Sequence, residues 1–566
     1  MKIARLMPSR GDFAPRHLRH DLLAGLTVAV VALPLALGFG VTTGAGAAAG
    51  IATAIVAGFV AAVFGGSNFQ VSGPTGAMTV VLLPIVARYG VGALATVGVV
   101  AGVVLVALSL AGVGRYVHYI PWPVIAGFTT GIAVIIFLQQ APGILGVEKV
   151  DGEGILPVTW RTVERYLDDP GVLSLVLGAI TVIVMVGWMR IPRIREIPAS
   201  MAALLLGTFV SLMPAFDGVA RVSGVPRGLP SPTLPAFDLV PFADLVRVGL
   251  TVAVLAALES LLSAVVADGM TIEERHDPDR ELLGQGLANV ASSLFGGMPA
   301  TGALARTAVN LRSGARTRVA AAFHAVVLLA VVSFLAPLAT RIPLAVLSGI
   351  LMVVAWRMVE SESVRTIFRA TRADASVFVL TMAVTILVDL IMAIEVGLVA
   401  AGFLFVVRMG GLLSIDPQPL AGIPSTGHDT PTEVAEEEGL RSESIVAYRI
   451  DGPVFFGAAN RFFDQLLKVG DAAKVVILRM RRVPVMDATG LAALEALVDR
   501  LRRRGILVLV SGLQDQPYSV LERTGVLDSI SRSRNHLFGT TEEAIAHARL
   551  HLSSPDHLAP AVGGTG

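Results

Sequence analysis

Ser72-Gly73-Pro74-Thr75-Gly76-Ala77 and Gly296-Gly297-Met298-Pro299-Ala300-Thr301-Gly302 are the two stretches that decide how this chain is read. Each interrupts an apolar segment, and neither suits continuous helix. Proline removes a backbone donor and clashes with the preceding turn, and glycine lowers helix propensity. Inside a bilayer such backbone is tolerated only where it is buried in protein or lines a cavity. The two breaks share a signature: Thr75-Gly76-Ala77-Met78 returns 226 residues later as Thr301-Gly302-Ala303-Leu304. A second echo, Gly25-Leu26-Thr27-Val28-Ala29-Val30 against Gly249-Leu250-Thr251-Val252-Ala253-Val254, has an offset of 224. Small apolar residues match easily by chance. Two matches at nearly one offset, in corresponding segments, indicate an internal duplication.

The surrounding composition sets the medium. Of 566 residues 54% are apolar and 15% charged, against about 25% charged in a soluble domain. Apolar segments of bilayer-spanning length fall near 21–38, 50–64, 74–88, 92–112, 121–141, 171–189 and 198–216. A second set falls near 247–267, 282–296, 303–317, 320–340, 343–356, 374–391 and 393–410. The expectation is an all-α polytopic membrane domain of fourteen segments, built as seven plus seven. Because seven is odd, the second copy enters the membrane inverted, the construction of many secondary transporters. Arg115, Arg190, Arg312, Arg316, Arg318 and Arg357 fall on the N-terminal side of this topology. The positive-inside rule then puts both termini in the cytoplasm, with the chain in the cytoplasmic (inner) membrane.

The expected organisation is a basic arm (1–20), a transport domain (21–410, with repeats about 21–216 and 247–410) and a Pro- and Glu-rich linker (411–440). A soluble α/β domain (441–552) and a tail (553–566) follow. The arm is basic but lacks the short apolar core and small-residue cleavage site of a signal peptide. A balance of 44 Lys and Arg against 43 Asp and Glu argues against nucleic acid as partner. The absence of Cys excludes disulfides, thiolate metal sites and cysteine nucleophiles. The chain shows no P-loop, no Ser-His-Asp set and no metal-ligand spacing around His118 or His324, so no cofactor, metal or enzymatic activity is expected.

Each helix break would be followed by a half-helix whose N-terminal N–H groups and dipole favour an anion. Ordinary loop punctuation is the plainer reading, but both breaks occupy repeat-related places. Arg306 lies about one turn into the second half-helix. A charge at membrane depth is rare and costly, and here it would stand beside two positive dipole ends. Glu259 is the sole acid in the apolar run from Val248 to Ala267. It suits either a proton carrier or a fixed counter-ion to Arg306, and Ser263 shares its face one turn on. Phe39 could form an aromatic wall. Asp389 and Glu395 read as structural or gating charges. In the C-terminal domain, strand-like runs (Ser444–Ile450, Val475–Leu478, Ile506–Val510) alternate with helix-like ones (Ala458–Val469, Thr489–Arg503, Thr541–His551). Asp487 is placed to cap a helix.

With these residues in view, the chain resembles the SulP anion transporters. The resemblance is carried by Asp21-Leu22-Leu23-Ala24-Gly25-Leu26-Thr27, Phe64-Gly65-Gly66, Ser72-Gly73-Pro74-Thr75-Gly76, Gly284-Gln285-Gly286-Leu287-Ala288-Asn289 and Pro299-Ala300-Thr301-Gly302-Ala303 through Arg306 to Asn310. It covers roughly residues 20–550. Ala32-Leu33-Pro34-Leu35-Ala36-Leu37-Gly38-Phe39-Gly40 is closest to the bacterial bicarbonate branch. The resemblance implies a uracil-permease-like fold working as an elevator, a cytoplasmic STAS domain and a homodimer. It implies a substrate site at Phe39, Thr75, Gly76, Ala77, Thr301, Gly302, Ala303, Leu304, Ala305 and Arg306, with Glu259 and Ser263 as ion-coupling residues. The expected substrate is a small anion: sulfate, bicarbonate or a C4-dicarboxylate such as fumarate. Sodium-coupled bicarbonate members have Asp and Thr where this chain has Glu259 and Ser263, and they lack the arginine, so a co-transported proton is favoured over sodium. Many members carry Gln or Glu in place of Leu35. In the STAS loop Ala488 replaces the phosphorylated serine of anti-sigma-factor antagonists. A sodium-coupled bicarbonate symporter, a nucleobase:proton symporter of the same fold and a membrane-anchored signalling scaffold are the alternatives.

Overall fold

A computed structural model describes residues 17–148, 150, 152, 154–188, 190–191, 198–271, 275–388, 390–410, 414–417, 444–455, 473–527 and 536–553. The arm up to residue 16, most of the 411–440 linker, Asp389, the 458–469 helix and the tail from residue 554 lie outside the described residues. The chain divides into two compact units, Met1–Ala401 and Gly402–Gly566.

In the first unit, the order of elements runs α1 (Leu18–Thr43), α2 (Ala47–Phe64), β1 (Ser72–Gly73), α3 (Gly76–Tyr89), α4 (Ala93–Ala111), α5 (Trp122–Gln139), α6 (Ala141–Leu145), α7 (Ile155–Asp168), α8 (Val172–Trp188) and α9 (Ala199–Val210). It then nearly repeats itself: α10 (Phe242–Gly269), α11 (Pro278–Leu294), β2 (Thr301–Gly302), α12 (Leu304–Arg312), α13 (Val319–Ala339), α14 (Leu344–Met358), α15 (Ser361–Ala370), α16 (Arg372–Leu387) and α17 (Leu390–Gly410), the last running into the second unit. A helix stands at each of the fourteen apolar segments. Among the described residues, seven helices are long and apolar enough to cross a membrane. The sequence reading did not mark α7 and α15, which occupy equivalent places in the two halves. Their polar and apolar residues mix, so neither registers as an apolar run.

The helices form two groups. In one, α11 packs against α4 and α2, α13 against α1 and α2, and α10 against α4. In the other, α16 packs on α5, and α14 packs on α8 and α5. Small residues permit this closeness, as interhelical packing in lipid requires. Alanines 24, 29, 32, 36, 54, 57, 101, 253, 256, 288, 320 and 321 are all buried. The short pieces β1 and β2 pair antiparallel, with Ser72 opposite Gly302 and Gly73 opposite Thr301. The two breaks, more than 220 residues apart in sequence, are thus one structural feature.

The second unit contains a sheet in the order β3 (Ser414–Pro417), β4 (Ile445–Asp451), β5 (Val475–Arg482), β6 (Leu507–Ser511), β7 (Leu537–Phe538). It is parallel except for β3 at its edge. Alternate strand residues serve opposite faces. Val476, Leu478, Val508 and Val510 join Leu494, Leu497, Val498 and Leu501 of α18 (Ala488–Arg503). Ile445, Val475, Ile477 and Leu509 meet Ala544, Ile545 and Ala548 of α20 (Thr541–Ser553); α19 (Asp515–Arg523) lies between β6 and β7 in sequence. Asp487 caps α18, its carboxylate accepting from the Gly490 amide at 2.7 Å.

Candidate functional site

The strand pair β1–β2 ends in two helix N-termini. Thr75 is the N-cap of α3, its hydroxyl oxygen accepting from the Met78 amide at 3.4 Å. Ala303 opens α12 without a side-chain cap. Ala303 N donates to the Val71 carbonyl and Gly302 N to the Ser260 hydroxyl. Among the described residues, the N–H groups of Gly76, Ala77, Leu304, Ala305 and Arg306 meet no protein acceptor. Orphan donors at a helix start are the feature that binds anions. Here two sets open onto one strand pair.

Glu259, half-buried on α10, is held against both breaks. Its Oε2 accepts from Thr75 Oγ1 at 2.8 Å and from Thr301 Oγ1 at 2.6 Å, and the two hydroxyls are themselves 3.1 Å apart. One carboxylate oxygen thus bridges the repeats, while Oε1 accepts no hydrogen bond among the described residues. Among the described residues, Ser263 makes no hydrogen bond to Glu259. Its hydroxyl donates to Thr307 Oγ1 at 3.2 Å, which accepts in turn from the Val71 amide at 3.1 Å.

Arg306 is 1% exposed. Its Nη2 donates to the Pro74 carbonyl at 2.7 Å, so the guanidinium of the second half spans to the backbone of the first. It forms no ion pair with Glu259 or with any other acid among the described residues. Nη1 is buried without an acceptor. The guanidinium fits because Gly73, at φ +150°, has no Cβ. A Cβ there would stand 2.6 Å from Nη1. Phe39 is buried with its ring edge 3.3 Å from where a Gly76 Cβ would lie. Leu304 and Ala305 are exposed at the mouth of α12. Glu395 is exposed on α17, and the side chain of His118 is outside the described residues.

Several supporting residues had no role assigned from the sequence. Ser260 anchors Gly302. Glu281, 1% exposed, accepts from the amides of Gly66 (2.8 Å) and Ser67 (3.0 Å) and from Nε2 of Gln70 (2.7 Å) and Gln285 (2.9 Å). Gln285 continues to the Ser72 hydroxyl at 2.6 Å. Asn289 brackets Ala300 through both amide atoms, and Thr53 holds Met298. These side chains satisfy the backbone groups that two non-helical stretches leave open.

Comparison with known proteins agrees with this architecture. Residues 18–381 match the model of the sulfate permease family, and residues 440–544 match that of the STAS domain. The protein named "Putative sulfate transporter YvdB" of Bacillus subtilis is 36% identical over 92% of this chain and 96% of its own. The bicarbonate transporter BicA of Picosynechococcus is 32% identical over 97% of each chain. The structure of murine Slc26a9, an anion transporter, superposes with a TM-score of 0.82 over 97% of this chain and 95% of that one; at 18% identity the likeness is one of fold. The membrane domain and the sheet domain are thus explained by one assignment: the chain belongs to the sulfate permease family, as an anion transporter with a C-terminal STAS domain.

Proposed function

We propose that the chain is a secondary active transporter of small oxyanions or carboxylates, holding its substrate between the N-termini of α3 and α12. The observation that carries this reading is the set of unsatisfied N–H groups at Gly76, Ala77, Leu304, Ala305 and Arg306, beside the buried Arg306 guanidinium. Phe39, Thr75, Thr301, Gly302 and Ala303 complete the walls. Sulfate, bicarbonate and C4-dicarboxylates all offer several acceptor oxygens to such donors. The names of the relatives make sulfate and bicarbonate the first to try.

The coupling ion is a proton taken up by Glu259. An ionised Glu259 opposes an anion nearby, and protonation removes that opposition, so proton and anion enter together. Ser263 supports this arrangement through Thr307. Transport proceeds as an elevator, with the group α1–α4 plus α10–α13 carrying the site past the other group. The contact between the groups suits sliding, since Leu351 lies against Gly38 and Ile136 against Gly76. Among the described residues, a weak polar link, Thr42 Oγ1 to Gln140 Oε1 at 3.4 Å, joins α1 to the end of α5. The chain works as a homodimer in the inner membrane with both termini cytoplasmic.

A second reading, sodium-coupled bicarbonate symport, is favoured by the identity to BicA. Radiolabelled sulfate, bicarbonate and fumarate uptake into proteoliposomes, under imposed proton or sodium gradients, separates the two. The first reading expects uptake driven by an inward proton gradient and rising as external pH falls. A sodium requirement with a flat pH profile establishes the second, and no uptake of any of the three refutes both.

A further inference from the structure

Helix α15 has no part in the roles assigned above. Two residues separate it from α14 and one from α16. Those two helices occupy apolar segments; read as spanning segments, they leave and re-enter the bilayer on one face. The short α15 between them then lies at that surface, whichever way the chain is oriented. The orientation read above makes it the cytoplasmic surface.

Its residues divide as those of an interfacial helix do. Ile367, 1% exposed, clusters with Ala126 of α5 and Phe378 of α16. Phe368 leans edge-on against Phe378, with ring centroids 5.7 Å apart, yet stays 54% exposed. Trp356, near the end of α14, is 73% exposed, as tryptophan at a membrane–water boundary often is. Arg365 and Arg369, one turn apart, share the exposed side with Phe368, and Arg372 follows at the start of α16. All three arginines are exposed, and among the described residues none makes an ion pair. Arg357 is different, since its Nη2 donates to the Met185 carbonyl at 3.2 Å. The nearby acids have other tasks. Glu360 accepts from the Ser363 hydroxyl and Asp374 from the Thr371 hydroxyl, each at 2.7 Å. Glu362 stands in the first turn of α15, where an acid suits the helix dipole.

Helix α7, in the equivalent place of the other half, gives an internal comparison. It too exposes apolar residues, Leu156, Trp160 and Leu167. Its charges are balanced, Arg161 and Arg165 against Glu164 and Asp168. Arg165 pairs with Glu148 at 3.6 Å, and Glu164 accepts from Trp160 Nε1 at 2.6 Å. From Ser361 to Arg372, by contrast, three arginines stand against one acid. We propose that α15 is a docking face for anionic phospholipid. Headgroup phosphates meet the guanidinium groups of Arg365, Arg369 and Arg372, while Phe368 rests at the boundary of the acyl chains. The planar fork of arginine suits phosphate, and basic residues held at an anionic surface add to its attraction one by one.

The test uses the full-length purified protein in native mass spectrometry, from micelles holding phosphatidylglycerol or phosphatidylcholine of matched chains. Wild type should retain phosphatidylglycerol about tenfold more tightly. Arg365→Gln, Arg369→Gln and Arg372→Gln combined should bring the two lipids level. The three arginines changed to lysine, which keeps the charge without the fork, should keep part of the preference. Arg165→Gln on α7 should leave it unchanged. Equal retention by wild type, or a preference that survives the triple glutamine substitution, would overturn the proposal. So would a preference abolished by millimolar inorganic phosphate, which would make the face a site for a soluble anion. Orientation is read separately. The chain has no Cys, so Ser361→Cys supplies a single thiol for a membrane-impermeant maleimide. Labelling in inside-out vesicles and not in intact cells supports the cytoplasmic placement. Labelling in intact cells refutes that orientation, while the lipid comparison still decides the docking face.

Discussion

Replacing Arg306 by alanine should abolish uptake at low substrate concentration while leaving the protein folded. The structure gives both halves of that expectation. Arg306 makes no ion-pair contact with an acid among the described residues, and Glu259 keeps its two threonine hydroxyls when it is removed, so no hydrogen-bonded buried pair is broken, the loss that is so destabilising. What remains is the Pro74 carbonyl, stripped of its 2.7 Å donor, a penalty of about 1–3 kcal/mol. For the substrate the loss is larger in kind. A unit negative charge about 5 Å from the guanidinium, at an effective dielectric constant of about 20, gains about 3 kcal/mol. At about 1.4 kcal/mol per tenfold, this is roughly two orders of magnitude in affinity. Labelled sulfate and bicarbonate uptake in proteoliposomes, measured across concentration, should show KM rising about 100-fold. Arg306→Lys, which keeps the charge but not the fork, should fall between. A KM within threefold of wild type, in Arg306→Ala that elutes as a folded species, would refute the reasoning.

Three further expectations follow from individual contacts. Glu259→Gln makes permanent the neutral state that admits the anion. Wild-type uptake should therefore rise as external pH falls, whereas the variant's should be flat with pH; a variant that keeps the wild-type slope would remove Glu259 from the coupling step. Glu281→Gln turns one oxygen of a four-fold acceptor into a donor facing donors, and should cost roughly 3–5 kcal/mol of stability; a thermal unfolding midpoint equal to wild type would contradict this. Asp487→Ala removes the cap of α18 and should cost about 1 kcal/mol there; hydrogen exchange at the Gly490 amide should rise several-fold, and unchanged exchange would show the cap to be idle.

Much of this site was legible in the sequence because its signals are local. Pro74, Pro299 and the glycines around them cannot continue a helix, and Glu259 and Arg306 stand out as charges in apolar runs. The offset between the two Thr-Gly-Ala motifs related the breaks to each other. It did not reveal that Ser72 and Gly73 pair with Gly302 and Thr301, or that one oxygen of Glu259 joins Thr75 to Thr301, since register and rotamer are tertiary facts. Glu281 was missed for a plain reason. It sits in the first turn of α11 beside Asp277 and Asp279, where acids are ordinary helix-start residues. Ser260 and Thr53 are single polar residues in apolar or small-residue context, without a pattern to mark them; Gln285, Asn289 and Thr307 stand in motifs that carry the family resemblance, but spacing alone gives them no role. Ser263 shows the opposite limit: helical spacing put it on the face of Glu259 but could not show that its hydroxyl turns to Thr307.

The central claim is that the anion sits between the starts of α3 and α12. Selenate, an analogue of sulfate with an anomalously scattering centre, tests it most directly in crystals of the purified protein. The account predicts an anomalous peak within hydrogen-bonding reach of the Gly76–Ala77 and Leu304–Arg306 amides, lost in Arg306→Ala. A peak elsewhere in a protein that transports selenate, with no density at these two helix starts, would contradict it.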